Sequence, residues 1–345
     1  MYVDMVVPAL FWPDRGQPES YHQLQLSALE KILAKGRYSK CAPASMEAWL
    51  CQFFAIEKQQ DWPVAPIMAQ LDDRNISGNR DGYWLRADPV HLRIENNHIL
   101  LVDSQMLNIS PKEASDFADS INELLIKEGL VLLPLQSHRW YVYSHETPAM
   151  QTRLLGEVAG KNINHQLPIG DDSIDWIRRI NEIQMLLHEH PLNQRRETHG
   201  EPVINSLWIW GGGIMPKNLT ALPVEIWGNY AFAQGLADAH GMECRSLPDT
   251  AHAWLSSVQG DGRRQLILLD GLQKPACYRN IVTWRNELAR FECDWFSPLL
   301  DLLKKNRISR LTLTVLGEDA TRVFRLTPRS LWKLWAVSRP MEKYD

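Results

Sequence analysis

The clearest hydrophobic periodicity lies in the second half of the chain. From Asp172, a residue suited to an N-cap, apolar positions at Trp176, Ile177, Ile180, Ile183, Met185 and Leu187 fall near helical spacing and predict a helix to about Glu189. Asn205–Trp210 is a short apolar run, hence a strand, and ends in Gly211-Gly212-Gly213. A helix from about Tyr230 to His240 stops at Gly241, which suits the left-handed position after a helix. Strands at Leu266–Leu269 and Leu311–Leu316 flank a long helical stretch from about Asn280 to Lys305. Strands alternating with helices predict parallel strands joined by right-handed crossovers, an α/β layer architecture. Ligands in such sheets sit at the carboxyl ends of strands, which singles out Gly211–Gly213, Asp270 and Gly317–Asp319.

The middle of the chain follows another pattern. Arg93–Ile94 and His98–Val102 predict a hairpin about Asn96-Asn97. Ser110-Pro111-Lys112-Glu113 is a capping box with proline at the first helical position, and Phe117, Ile121, Leu124 and Leu125 line one face before Gly129 closes the helix. Strands at Leu130–Leu133 and Trp140–Tyr143 complete a compact α+β unit. Helices at about Gln23–Lys35 and Ser45–Ala55 precede it. The predicted organisation is an α/β core made of residues 1–74 and 165–345, interrupted by an α+β domain at 75–164. Asp72–Asp81 and Gly156–Asp171 are the candidate hinges.

Composition narrows the function classes. The 345 residues are 45% hydrophobic and 23% charged, with a formal net charge of -4, so neither wholesale disorder nor a basic nucleic-acid-binding stripe is indicated. The longest apolar runs are far shorter than the roughly 20 residues of a membrane span, and the N-terminus lacks a basic region before its first acid. Membrane insertion, secretion and nucleic acid are therefore not expected. Five scattered cysteines without a C-x-x-C pair fit reduced thiols and a cytoplasmic location. The 14 tryptophans, spread from Trp12 to Trp335, read mostly as core or interface bulk.

Several segments carry a resemblance. NSLWIWGGGIMPK followed by PVEIWGNYAFAQGLADAHGMEC resembles part of the archaeal-type cofactor-independent phosphoglycerate mutases of the alkaline phosphatase superfamily. WLRADPVHLRIENNHILLVD and ISPKEASDFADSINELL are similar to the domain inserted in those enzymes. Trp62–Pro66 (WPVAP), Ala87–Leu92 (ADPVHL), Asn181–Asn193 (NEIQMLLHEHPLN) and Ser206–Gly213 (SLWIWGGG) also resemble a proteobacterial family labelled RpfE-type regulatory proteins. The resemblance implies an alkaline-phosphatase-like α/β core. In the enzymes it implies two divalent metals, manganese or zinc, held by Asp and His at strand ends around a Ser or Thr nucleophile.

At those strand ends the chain departs from the enzymes. The first strand is followed by Pro8-Ala9 and only later by Asp14, where an Asp-Gly pair is implied. Cys51–Gln60 has no serine, threonine or glycine; Asp270-Gly271 is not followed by Gly-His; and Gly317-Glu318-Asp319 replaces Asp-His. The reading is a metal-free, catalytically degenerate relative that binds a small anionic ligand or a protein partner. The alternative is a metal-dependent mutase or phosphatase, for which Asp14, Asp270, Glu318 or Asp319 would converge with His188, His190 or His252. Only Asp270 and Asp319 remain as weak metal candidates.

The candidate ligand residues are Arg86, Asp88, His91, Asn193, Arg196, Trp208, Trp210, Gly211, Gly212 and Gly213. Arg86, Asp88 and His91 read equally as an anion-binding or proton-shuttling cluster and as a buried salt-bridged corner. The glycines could form a backbone nest for phosphate, or a tight turn. Arg196, with Arg195 and Asn193, could clamp an anion or sit on an exposed loop. Trp208 and Trp210 share one strand face and suit core packing, or a cleft wall. His188 and His190 read better as a helix terminus than as ligands, since residues two apart on a helix point to different faces.

Overall fold

A computed structural model of the chain describes residues 1–14, 16–74, 82–95, 98–258, 264–333 and 335–344. In chain order the described strands are β1 (Tyr2–Pro8), β2 (Arg37–Cys41), β3 (Tyr83–Glu95), β4 (His98–Val102), β5 (Leu130–Gln136), β6 (Arg139–Ser144) and β7 (Met150–Gln151). They continue with β8 (Ile169–Gly170), β9 (Ser206–Gly213), β10 (Val224–Trp227), β11 (Cys244–Arg245), β12 (Arg264–Leu268), β13 (Arg310–Leu316) and β14 (Thr321–Leu326). The chain divides into two compact units, Met1–Met46 with Thr220–Asp345, and Glu47–Leu219.

The first unit is built on a seven-stranded sheet of order β11-β10-β12-β1-β13-β14-β2. Its first five strands run parallel, β14 is antiparallel to them, and β2, antiparallel to β14, runs in the direction of the first five. This is the α/β class with a mainly parallel sheet that alternating strands and helices predict. Val3, Met5 and Val7 of β1, Ile267 of β12 and Leu313 and Val315 of β13 enter one apolar cluster with Leu29, Ile32, Trp254, Trp284 and Trp295. Several tryptophans are thus core bulk, as their scatter suggests.

The helix expected over Asn280–Lys305 has an internal change of pitch. It runs as an α-helix over Ile281–Phe291, widens to a π turn over Glu292–Phe296, and continues as an α-helix over Ser297–Lys304. At the start of the π turn the Glu292 side chain caps the helix Ser27–Lys35, accepting from the N–H groups of Ala28 (2.6 Å) and Leu29 (3.0 Å). Those are two of the donors that an α-helix leaves unpaired at its start.

The second unit holds the sheet β4-β3-β6-β5, with β9 pairing the other side of β3. β9 was expected among the parallel strands of the core; it lies instead antiparallel to β3, with Trp208 opposite Asp88 and Trp210 opposite Arg86. The reason the pattern misleads is burial on both faces: every residue of β9 is buried, the signature of an interior strand in either kind of sheet. The second unit therefore extends beyond 75–164 on both sides, taking in the helices Val64–Asp72, Ser173–Glu189 and Pro191–Thr198 as well as β9. Pairing between β3 and β4 agrees with the expected hairpin, whose turn at Asn96-Asn97 lies outside the described residues, as do 75–81 of the candidate hinge. The helix Pro111–Leu125 forms with its capping box intact, Ser110 Oγ accepting from Glu113 N at 3.2 Å and the Glu113 carboxylate accepting from Ser110 N at 2.9 Å.

Candidate functional site

The carboxyl edge of the parallel sheet is where this architecture places ligands. After β1 the chain turns at Ala9, which adopts a left-handed φ of 53° and donates its N–H to Leu316 O at 2.9 Å. Leu10, Phe11 and Trp12 follow, all buried. The Trp12 ring meets Trp284 edge-on at 5.3 Å, the Trp284 indole N–H donates to Ala9 O at 2.9 Å, and Trp12 N donates to the Tyr21 hydroxyl at 2.8 Å. The end of the central strand is thus filled by apolar side chains.

The flanking strands bring the two weak metal candidates. Asp270 follows β12 and Asp319 follows β13, but β1 lies between those strands, so their backbones are about 10 Å apart at the edge. Asp319 is engaged by Arg322 through both oxygens (2.9 and 3.1 Å) and lies 3.7 Å from Lys40. Burial, with Glu287 nearby, pushes the Asp270 carboxyl up from the usual range. Asp14, Glu318, His188 and His252 are exposed. His190 belongs to the other unit, where Nδ1 accepts from Leu192 N at 3.2 Å to cap the helix Pro191–Thr198 and Nε2 lies 3.0 Å from Ser120 Oγ. Among the described residues, no three His, Cys, Asp or Glu side chains come together as a metal site.

In the second unit, three of the candidate residues do converge. Asp88, fully buried, accepts from Arg86 Nη2 (2.6 Å), Arg86 Nε (3.2 Å) and Trp140 N (3.3 Å) on one oxygen, and from the Trp210 indole N–H (2.8 Å) on the other. The Arg86 guanidinium lies between the rings of Tyr141 and Trp210, 5.0 and 5.1 Å from their centroids. Strand alternation puts Arg86 and Asp88 on one face, and the antiparallel register supplies Trp210 from β9. Residues 86–88 are therefore a buried, hydrogen-bonded ion pair, the corner that was one of the two readings of that segment. The sequence reading missed Asp72, Arg139 and Tyr141. Asp72 accepts from Arg139 Nη2 (2.5 Å), Arg139 Nε (2.8 Å) and the Tyr141 hydroxyl (2.5 Å), and burial raises the Tyr141 hydroxyl well beyond its ordinary range. Alternation of Arg139 and Tyr141 along β6 was the available signal; their partner on a helix was not visible in it.

The remaining candidates have structural partners. His91 Nδ1 lies 2.9 Å from Val203 O. Asn193 donates to Leu187 O and Ile204 O and accepts from Ile204 N, stitching two helices to the start of β9. Arg196 is buried, not on an exposed loop, and donates to Pro202 O (2.8 Å), Leu107 O and the Glu113 carboxylate (2.9 Å). An open cavity of about 340 Å³ beside it is lined by Lys112, Arg195 and His199, but also by Glu113, Asp116 and Glu201. The Trp208 indole donates to Arg153 O at 3.0 Å. The glycines are places of close approach. A Cβ on Gly212 would lie 2.4 Å from the Tyr83 hydroxyl and one on Gly213 2.6 Å from Pro63, while Gly211 takes a φ of 64°. Beside them, buried Asp61 accepts from Thr152 N (3.0 Å), and Thr152 Oγ1 accepts from Gly211 N (3.2 Å).

No family model matches the chain. The 2,3-bisphosphoglycerate-independent phosphoglycerate mutase of Methanosarcina mazei is 29% identical over 141 residues, 39% of this chain and 36% of the relative. A probable enzyme of the same description from Geobacter sulfurreducens is 25% identical over 133 residues, 38% of this chain and 33% of the relative. The matches thus span about a third of the length of these curated relatives. Among solved structures, the PH0037 protein from Pyrococcus horikoshii aligns with a TM-score of 0.51 at 13% identity, covering 94% of this chain and 87% of that one, a likeness of fold. The chain is a distant homologue of the cofactor-independent phosphoglycerate mutases, with an α/β core of mainly parallel strands.

Proposed function

We propose that the chain is a catalytically silent relative of these mutases, retained as a binding or regulatory protein for a small anionic ligand or a protein partner. The observation that supports this best is the filled end of β1, where Ala9, Leu10, Phe11 and Trp12 occupy the position from which an enzyme of this fold would offer its first acidic ligand. A pair of divalent cations needs a cluster of anionic and imidazole donors within about 2.0–2.2 Å of each ion. Asp270 and Asp319 do not fit that need: a strand lies between theirs, and Asp319 is already neutralised by Arg322. The label of RpfE-type regulatory protein belongs to this reading and rests on the sequence marks alone.

The test is elemental analysis of protein purified without chelator, together with turnover of 3-phosphoglycerate and p-nitrophenyl phosphate in added manganese or zinc. The expected result is substoichiometric metal and no turnover above buffer. Two tightly held ions per chain, with turnover abolished by chelation, would overturn the reading in favour of a metal-dependent mutase or phosphatase.

A further inference from the structure

β2 ends the seven-stranded sheet. Among the described residues it pairs with β14 alone, and four of its five residues are exposed. An edge strand presents along its outer side the backbone N–H and C=O groups that an inner strand gives to a neighbour. Such an edge can accept an extended segment that continues the ladder.

The charges on this edge oppose the pairing they sit on. β2 and β14 carry two charged pairs in register, Arg37 opposite Arg325 and Lys40 opposite Arg322, and both set cation against cation. Like charges directly opposite one another destabilise a pair of strands. Lys40 and Arg322 have their counter-charge in Asp319, which accepts from Arg322 through both oxygens (2.9 and 3.1 Å) and lies 3.7 Å from Lys40. Arg37 and Arg325 are both exposed, and among the described residues no carboxylate forms an ion pair with either. Strand alternation puts them on the face opposite Tyr38 and Phe324, whose rings meet at 5.2 Å. The Asp319 carboxylate is engaged on that other face, near Lys40, about 10 Å along β2 from Arg37. Salt screens most of its effect at that distance.

We propose that the outer edge of β2 takes an extended acidic segment of a partner protein as a further strand, with a carboxylate beside Arg37 on the face it shares with Arg325. Main-chain hydrogen bonds to β2 hold the added strand, and its acid supplies the counter-charge that the Arg37–Arg325 pair lacks within the chain. The same charges argue against a second copy of this chain. An antiparallel pairing of β2 with itself about Ser39 brings Arg37 and Lys40 of both copies into one seam. Basic side chains on an edge thus turn away basic strands and leave it open to acidic ones. On the opposite face the Tyr38 ring, 51% exposed, offers an apolar contact to the alternate side chains of the incoming strand.

Fluorescence anisotropy of a labelled peptide alternating glutamate with valine, titrated with the full chain, tests this. Its acids fall on one face of a strand and its valines on the other. This peptide is expected to bind and its lysine–valine counterpart is not. A glutamate–valine peptide methylated at every backbone nitrogen should also fail, because it cannot donate to a ladder. Arg37→Glu should weaken binding by roughly tenfold yet melt no lower than wild type, since it turns a like-charge pair into an opposite one. Absence of binding overturns the proposal, as does equal binding of the methylated peptide or equal binding by Arg37→Glu. A dimer in sedimentation that Arg37→Glu disrupts, without peptide binding, gives the edge to a second copy and overturns it as well.

Discussion

Glu292 holds the start of the helix Ser27–Lys35 from a site more than 260 residues away, its two oxygens accepting the N–H groups of Ala28 and Leu29. Glu292 is the first residue of the π turn over Glu292–Phe296, and its backbone stays helical. A side chain of one helix thus replaces the N-cap that Leu26 does not supply to the other.

Replacing this carboxylate tests the coupling. Glu292→Ala should cost about 2 kcal/mol in denaturant unfolding, because two buried N–H groups lose their acceptor. Glu292→Gln keeps one acceptor and should cost about half as much. Burial outweighs the two hydrogen bonds and raises the Glu292 carboxyl above its usual range. A carboxyl raised in the folded state contributes stability that is present below its unfolded value, about 4.3, and is lost as pH rises through the folded value. The advantage of wild type over Glu292→Gln should therefore shrink as pH rises, and melting curves at several pH values check it. A widening advantage would mean the helix terminus dominates over burial.

The glycine triplet is predicted to be a packing device. Gly212→Ala and Gly213→Ala should each destabilise the second unit by about 1–3 kcal/mol, since their Cβ atoms would meet Tyr83 and Pro63 at 2.4 and 2.6 Å. Unfolding followed by tryptophan fluorescence measures this. Neutral substitutions combined with lost binding of inorganic phosphate would instead make the triplet a phosphate nest.

What was legible in the chain follows from locality. The capping box at Ser110–Glu113 and the left-handed Gly129 and Gly241 are governed by neighbours in sequence, and the structure has them where the residues place them. The parallel strands β12 and β13 were legible because they are apolar runs between helical periods. β2 (RYSKC) was not, because an exposed edge strand has no apolar face to alternate. β9 was legible as a strand but not as β3's partner, since pairing is a long-range choice that a uniformly apolar run leaves open. For the same reason the Arg86–Asp88 cluster could be named, but not its closure by Trp210 and Tyr141.

Asp270 separates a structural from a metal-binding strand end. Its carboxyl is raised by burial and then by Glu287, so the charged form is held at a cost near neutral pH. By the same sign as Glu292, that cost is absent below the unfolded value of about 3.9 and grows as pH rises through the folded one. Asp270→Asn should raise the melting temperature near pH 7 and leave it unchanged near pH 4. A metal ligand would behave oppositely, losing bound ion and stability together at neutral pH. Differential scanning calorimetry at the two pH values distinguishes these outcomes.

The sharpest prediction concerns the ion pair in the second unit. Asp88 accepts four hydrogen bonds without solvent, and Arg86 has two aromatic faces about 5 Å away. Asp88→Leu would leave a buried guanidinium without its counter-ion and should cost about 3–5 kcal/mol. Arg86→Met alone strands the carboxylate in the same way, though the Trp140 and Trp210 donors remain and reduce the penalty. The double variant Arg86→Met/Asp88→Leu removes both charges at once, and its cost should fall well below the sum of the singles, with a coupling of at least about 2 kcal/mol. Chemical denaturation of the four proteins closes the cycle. Strict additivity would mean that the two residues act independently, and the cluster would then have to be explained by a ligand rather than by the fold.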